Sequence, residues 1–294
     1  MNGALLVDKP AGVTSFDVVA IVRRALGTKS VGHTGTLDPF ATGLLVVLVG
    51  KATRLARFLD GHEKVYTATI RLGVGSDTDD STGNLSPAGP ATRDSRPGLE
   101  EVQSALASFV GTQSQLPPAF SAKKIDGQRA YDRARKGQEV VLKPVDVTIH
   151  SAELLRYEWP DVEIRATVST GTYIRSLARD LGKKLGTEAH CAVLRRDRIG
   201  AFSVEKAISL ASVQEGGAGS AEAVGCRLSA AELVGHLPQQ EVTEAEAVHL
   251  AHGRVIEGRS GEGVVALVRG GELLAVGEVK EGKARPTVVL MGNE

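Results

Sequence analysis

Residues Gly32 to Leu45 read GHTGTLDPFATGLL, and the placement of this stretch decides the fold. Three glycines, one histidine, three threonines and an Asp-Pro pair fall within fourteen residues, directly ahead of the apolar run Leu44 to Val49. Glycine serves where backbone turns sharply or approaches another group closely. Asp-Pro starts turns through the aspartate's own side chain. The pattern predicts a long irregular loop that carries one carboxylate, Asp38, to the mouth of a buried strand. Taken alone, Asp38 is read as a turn former.

Working outward, Gly3 to Val7 is an apolar strand ending in Asp8-Lys9-Pro10. Thr14 to Asp17 then has the spacing of a capping box, in which side chains satisfy the first free amides of a helix. Val18, Val19, Val22 and Leu26 give that helix its apolar face, and Gly27 stops it. Beyond the central loop, Lys51 to Leu59 reads as a short helix with Leu55, Phe58 and Leu59 inward. Lys64 to Leu72 alternates as a strand, with Tyr66, Ala68 and Ile70 on one side. Gly73 to Pro97 reads as an exposed loop. Its Asp77-Thr78-Asp79 is not a calcium loop, because Thr82 and Ala88 stand where glycine and the closing glutamate are needed. Leu99 to Val110 is helical by spacing, and Gln115 to Gly137 is a basic, proline-initiated arm. Two strands near Val145 to Tyr157 and Val162 to Ser169 lead to a helix with Leu177, Ala178, Leu181 and Leu185 inside. Ala192 to Arg196 is a short strand and turn, and Gln214 to Cys226 a mobile insertion. Beyond His236, glycine-separated apolar runs predict a small all-β module.

The 294 residues suffice for one large and one small domain, and 42% hydrophobic with 24% charged residues is a globular composition. No apolar run is long enough to cross a bilayer, and Asp8 and Lys9 interrupt the apolar N-terminus, so a cytosolic location is expected. Cys191 and Cys226 form no CxxC, which fits a reducing compartment and no structural zinc. The 35 basic and 35 acidic residues cancel, but they are segregated. Lys123 to Lys136 holds six basic against two acidic residues, and Thr172 to Arg198 seven against three. A polyanion would be held if the fold gathers these segments on one face.

Several chemistries lack their residues. The glycine-rich stretch has no Gly-Lys-Ser/Thr and no dinucleotide fingerprint, the histidines are dispersed, and no GxSxG elbow exists. One carboxylate in a glycine-rich loop, a strand tyrosine and an arginine at a helix start remain.

GALLVDKPAGVTS, GHTGTLDPFATGLL, KVYTATIRLG with the following SDTDD, LPPAFSAKK, STGTYIRSLARDLG and AVLRR resemble, in order and spacing, segments of the TruB family of bacterial tRNA pseudouridine-55 synthases. The resemblance covers essentially the whole chain. It implies an α+β pseudouridine-synthase fold, with a central mixed, largely antiparallel sheet flanked by helices over 1–235. It also implies an RNA-binding arm at about 115–140, carrying Lys123, Lys124, Arg129 and Arg133, and a small C-terminal PUA-like β-barrel at 236–294. By the same resemblance Asp38 is the catalytic aspartate, Tyr66 stacks on the target base, and Arg175 pairs with the aspartate. Tyr173 and Leu194 line the base pocket, His33 contacts RNA near the flipped nucleotide, and Lys9 and Pro10 support Tyr66. Phe120 stands where many members carry tyrosine. The implied partner is the T-stem-loop of tRNA, with no cofactor, no metal, no protein partner and a monomeric state.

Those roles are chemically coherent. Isomerising uridine breaks the N1–C1′ bond, turns the uracil and joins C5 to C1′, for which an ionised carboxylate serves as nucleophile or as stabiliser and base. A stacked loop base must first be flipped out. Two other readings stay open: an RNA-binding protein that remodels tRNA without chemistry, and a nucleoside hydrolase. The hydrolase normally needs two cooperating carboxylates.

Overall fold

The computed structural model describes residues 2–87, 96–120, 142–216 and 227–291, with the backbone of two short strands, Lys124–Ile125 and Gln128–Arg129. An eleven-stranded mixed sheet dominates. Its centre is set by Gly3–Lys9, which pairs antiparallel with Thr42–Val49; that strand in turn runs parallel to Ala189–Ile199. Beyond it lie Lys64–Leu72, Asp161–Val168, Val145–Glu158 and Gly111–Gln115, all antiparallel neighbours.

Local sequence accounts for the helices that cover the sheet. Thr14 caps Ser15–Ala25 through a complete box with Asp17, whose carboxylate accepts the Thr14 amide at 2.8 Å. Val18, Val19 and Val22 of this helix bury against Leu5, Val7, Leu45 and Val47. The opposite flank of the sheet buries Tyr66, Ala68, Ile70 and Leu72 against Leu177, Ala178 and Leu181 of the helix Ile174–Lys184.

A second sheet of five strands spans Gln239–Val289, with the helix Glu244–Ala251 packed on it. The strands of the predicted module are present, but the module is not all-β because this helix belongs to it, and it is joined to the main sheet through a shared core. Ala266, Val268, Val276 and Val288 pack in one cluster with Ala4, Leu44 and Leu48, and Arg54 Nη1 donates to the Val289 carbonyl at 2.8 Å.

One local expectation, the short helix at Lys51 to Leu59, is met and refined, and two others are corrected. Gly50–Phe58 is a 3-10 helix. Ala189–Ile199 is an eleven-residue strand rather than a short one, because it threads between two other strands and is paired on both edges. The segment after Gly73 is not a plain exposed loop: Val74–Ser76 pairs with Leu85–Pro87, and Asp80 bridges to Cys191 and is buried. The predicted insertion lies largely outside the described residues.

Candidate active site

The irregular part of the opening stretch is only 35–41, since Val31–Thr34 forms an edge strand on Thr42–Val49. Its backbone is pinned from three sides. Ser15 Oγ takes the Leu37 amide at 2.9 Å and lies 3.1 Å from the Leu37 carbonyl. The Pro39 carbonyl accepts the Gly12 amide at 2.8 Å and Lys9 Nζ at 3.3 Å. Arg196, fully buried, donates Nη2 to the Gly35 carbonyl at 2.9 Å, Nη1 to Thr36 at 3.3 Å and Nε to Leu44 at 2.8 Å. A loop without secondary structure thus holds Asp38 on a rigid frame, which precise catalytic geometry requires.

Asp38 faces Arg175. Nε of the guanidinium lies 3.0 Å from Asp38 Oδ2, and Nη2 donates to Oδ1 at 3.2 Å and to the Phe120 carbonyl at 2.9 Å. Nη1 donates to the Thr78 carbonyl at 3.0 Å and to Asp80 Oδ2 at 3.2 Å. One guanidinium therefore bridges two carboxylates. They differ in environment: the Asp38 side chain is 33% exposed, that of Asp80 6%. Asp80 Oδ1 also accepts Thr78 Oγ1 at 2.8 Å, the Thr82 amide at 2.9 Å and Thr82 Oγ1 at 2.6 Å. Burial pushes the Asp38 carboxyl above the usual carboxylate range; Arg175 opposes the rise and Asp80 adds to it.

A cleft of about 210 Å³ opens onto Asp38, lined among others by Tyr66, Tyr173, Arg175 and Leu194. Tyr66 and Leu194 reach it from neighbouring strands, with Leu194 opposite Ala68. The Tyr66 hydroxyl hydrogen-bonds none of the described residues. Tyr173 caps the helix Ile174–Lys184, and the Gln115 side chain clamps its backbone by accepting the amide at 2.8 Å and donating to the carbonyl at 3.1 Å. Leucine and isoleucine side chains, two tyrosines and one carboxylate among cations suit a reaction on a flat, uncharged ring from which water is excluded. Among the described residues no three His, Cys, Asp or Glu side chains gather to hold a metal ion.

Two family models match consecutive segments. The TruB family pseudouridylate synthase N-terminal domain covers 23–174, and the tRNA pseudouridylate synthase B C-terminal domain covers 175–223. The chain belongs to the TruB family of pseudouridylate synthases. A tRNA pseudouridine synthase B of Thermobifida fusca is 44% identical over 99% of this chain and 99% of its own length. That of Aquifex aeolicus is 40% identical over 99% and 100%. A solved Cbf5-Nop10-Gar1 complex contains a chain with a TM-score of 0.75 and 27% identity, over 98% of this chain and 85% of that one. An H/ACA RNP bound to a substrate RNA containing 2′-deoxyuridine gives 0.74 and 25%, over 99% and 85%. The pseudouridine-synthase fold inferred from the sequence is thereby established for this TruB-family chain.

Asp38, Tyr66, Arg175, Tyr173 and Leu194 come together in one cleft. His33 is not among the residues lining it; the residue sits on the edge strand beside the loop, its Nδ1 buried without a hydrogen-bond partner among the described residues and its pKa lowered by burial and by Arg196. Lys9 Nζ ties its own turn to the Asp38 loop: it donates to the carbonyls of Pro10 and Val13 in the turn and of Pro39 in the loop, because a buried ammonium needs acceptors. At Phe120 the backbone carbonyl accepts from Arg175. In the arm, Lys124 pairs with Arg129 in a short hairpin, whereas Lys123 and Arg133 lie outside the described residues. Sequence reasoning missed Asp80, Gln115, Arg196 and Lys64. Only Lys64 left a readable signal, since it shares the parity of Tyr66, Ala68 and Ile70 and so is a charge on the inward face of a strand.

Proposed function

We propose that this chain isomerises uridine 55 in the T-loop of tRNA to pseudouridine as a cytoplasmic monomer, flipping the base into the cleft and using Asp38 to break and remake the glycosidic bond. The observation that carries the reading is one partly open carboxylate, held by Arg175 and facing Tyr66 and Leu194, in a TruB-family chain. The guanidinium favours the ionised carboxylate against a wall that would neutralise it. Tyr66 stacks on the flipped uracil, repaying part of the cost of unstacking, and its free hydroxyl is available to move a proton. Leu194 keeps water from the sugar, so that the detached uracil turns and rejoins through C5 while the C5 proton leaves to solvent and N1 takes up a proton. The arm at 115–140 and the five-stranded module at 236–294 grip the RNA backbone outside the catalytic domain at 1–235. His33 meets the RNA at the rim, and Lys123, Lys124, Arg129 and Arg133 meet its phosphates.

Release of tritium from C5-labelled uridine in a T-stem-loop RNA tests the proposal. Wild-type protein should release it without free uracil, and Asp38→Asn should abolish release while RNA affinity stays within a few-fold. Undiminished turnover by Asp38→Asn would remove Asp38 from the mechanism. Free uracil as product would make the chain a hydrolase, and binding without release a remodelling protein.

A further inference from the structure

Lys64 opens the strand that carries Tyr66 and points into the same cleft, two residues and one strand repeat of about 6.7 Å away. The residue is 9% exposed, and its Nζ donates to Thr170 Oγ1 at 3.1 Å and to the His62 carbonyl at 3.2 Å. An ammonium has three donors, and among the described residues no carboxylate lies within ion-pair distance of this one. Arg196 stands beside it, fully buried and bonded to carbonyls alone. The backbone between them is Gly35, with φ of 68°; a Cβ there would lie 3.5 Å from Lys64 Cε and 3.6 Å from Arg196 Nη1. Those are ordinary contacts, so the positive φ and not the space is what favours glycine between the two cations.

The charge balance of the cleft points the same way. Lys64, Arg175 and Arg196 line it against Asp38. Counting Asp80 behind Arg175 as well, three cations face two carboxylates, an excess of one positive charge. Buried charges are retained where something compensates them; here carbonyls, one hydroxyl and the more distant Asp60 do so in part, and one ammonium donor of Lys64 is left over among the described residues. Asp38 and Asp80 are already engaged by Arg175.

We propose that Lys64 Nζ and Thr170 Oγ1, backed by Arg196 across Gly35, form a phosphate subsite that takes one phosphodiester flanking the uridine whose base occupies the cleft. The inference rests on the proposed RNA substrate and adds a specific contact to it. A base stacked on Tyr66 places its own backbone within reach of the residue one strand repeat away. The phosphate supplies the missing negative charge and accepts the remaining ammonium proton, while Thr170 keeps the ammonium aimed. In the free protein burial, and next Arg196, lower the Lys64 pKa to about 8, with Asp60 opposing. An arriving anion offsets both effects by direct attraction to the ammonium.

The experiment is a thermodynamic cycle on binding. The full chain, wild type or Lys64→Met, is titrated with T-stem-loop RNAs in which the phosphodiester on the 5′ or the 3′ side of the target uridine is replaced by an uncharged methylphosphonate. One of the two replacements should weaken wild-type binding on the order of ten-fold, the worth of a charge-assisted hydrogen bond. Lys64→Met should weaken binding of the unmodified RNA similarly and make the salt slope shallower by about 0.7 to 0.9. Combined, the two changes should add less than about two-fold to either alone, and Lys64→Arg should restore most of the loss. If neither replacement weakens wild-type binding, the subsite does not exist, a result that needs no variant to fold. Fully multiplicative losses at both positions overturn the proposal equally. Because binding is measured, the cycle stands apart from turnover: a wild-type chain that binds but releases no tritium sinks the isomerase reading and leaves the subsite to be judged on its own data.

Discussion

Removing the guanidinium that joins Asp38 and Asp80 should be costly in a way that a second substitution partly repairs. The Arg175 side chain is 4% exposed and that of Asp80 6%, so Arg175→Met strands a carboxylate that solvent hardly reaches. Breaking one side of such a buried pair costs about 3 to 5 kcal/mol. Asp38 is left out of this figure, because its side chain is 33% exposed and water screens it once the guanidinium is gone. Asp80→Asn alone should cost about 1 to 2 kcal/mol. The amide oxygen still accepts from Thr78 and Thr82, while the amide NH2 that replaces Oδ2 cannot accept from Arg175 Nη1; the guanidinium keeps Asp38 and the Thr78 and Phe120 carbonyls. In the double variant neither charge is buried, so its cost should fall short of the sum of the two by about 2 to 3 kcal/mol. Urea unfolding midpoints of the four proteins, with unchanged denaturant slopes, give these differences directly. Tritium release should stay abolished in both chains lacking Arg175, which separates repair of the fold from repair of the site. Single-variant costs that add to within about 0.5 kcal/mol would show that the Arg175–Asp80 bridge is not an energetic unit and refute the reasoning.

Three further outcomes follow from the packing around the loop. Gly43→Ala should lose about 3 kcal/mol or more in thermal denaturation, since Gly43 has φ of 104° and an added Cβ would sit 2.3 Å from the Arg196 carbonyl oxygen. Gln115→Leu removes the side-chain acceptor of the Tyr173 amide and one of the donors to its carbonyl, which the Leu177 amide still reaches, at a site where Gln115 is 4% exposed. It should cost about 1 to 3 kcal/mol, with kcat falling more than KM rises. Lys9 and Lys64 are both held at about pKa 8, mainly by burial. The unfolded chain therefore binds more protons between about pH 8 and 10.5, and these two groups stabilise the fold as pH rises through that window. The penalty of burying them charged is present below it. Urea midpoints measured from pH 8 to 10.5 should rise less steeply in Lys9→Met than in wild type, and identical slopes would contradict the burial of that ammonium.

The sequence by itself determined the periodic elements. Alternation in Lys64 to Leu72 gave the strand and its buried face, the Thr14–Asp17 spacing gave a helix start, and glycine-separated apolar runs gave the second sheet. These are local properties, written in residues that touch within one or two turns. Asp38 was legible as a loop carboxylate, but residue chemistry alone left it a turn former; the family resemblance supplied its role and its partner Arg175. Tertiary structure decided what the sheet order brings together. Arg175 meets Asp38 and Asp80 across 137 and 95 positions. Arg196 reaches back about as far, to Gly35 and Thr36, because the Ala189–Ile199 strand lies beside Thr42–Val49. No period in the chain encodes such contacts, since a buried charge is placed by whichever carbonyls or carboxylates the packed sheet leaves within about 3 Å of it.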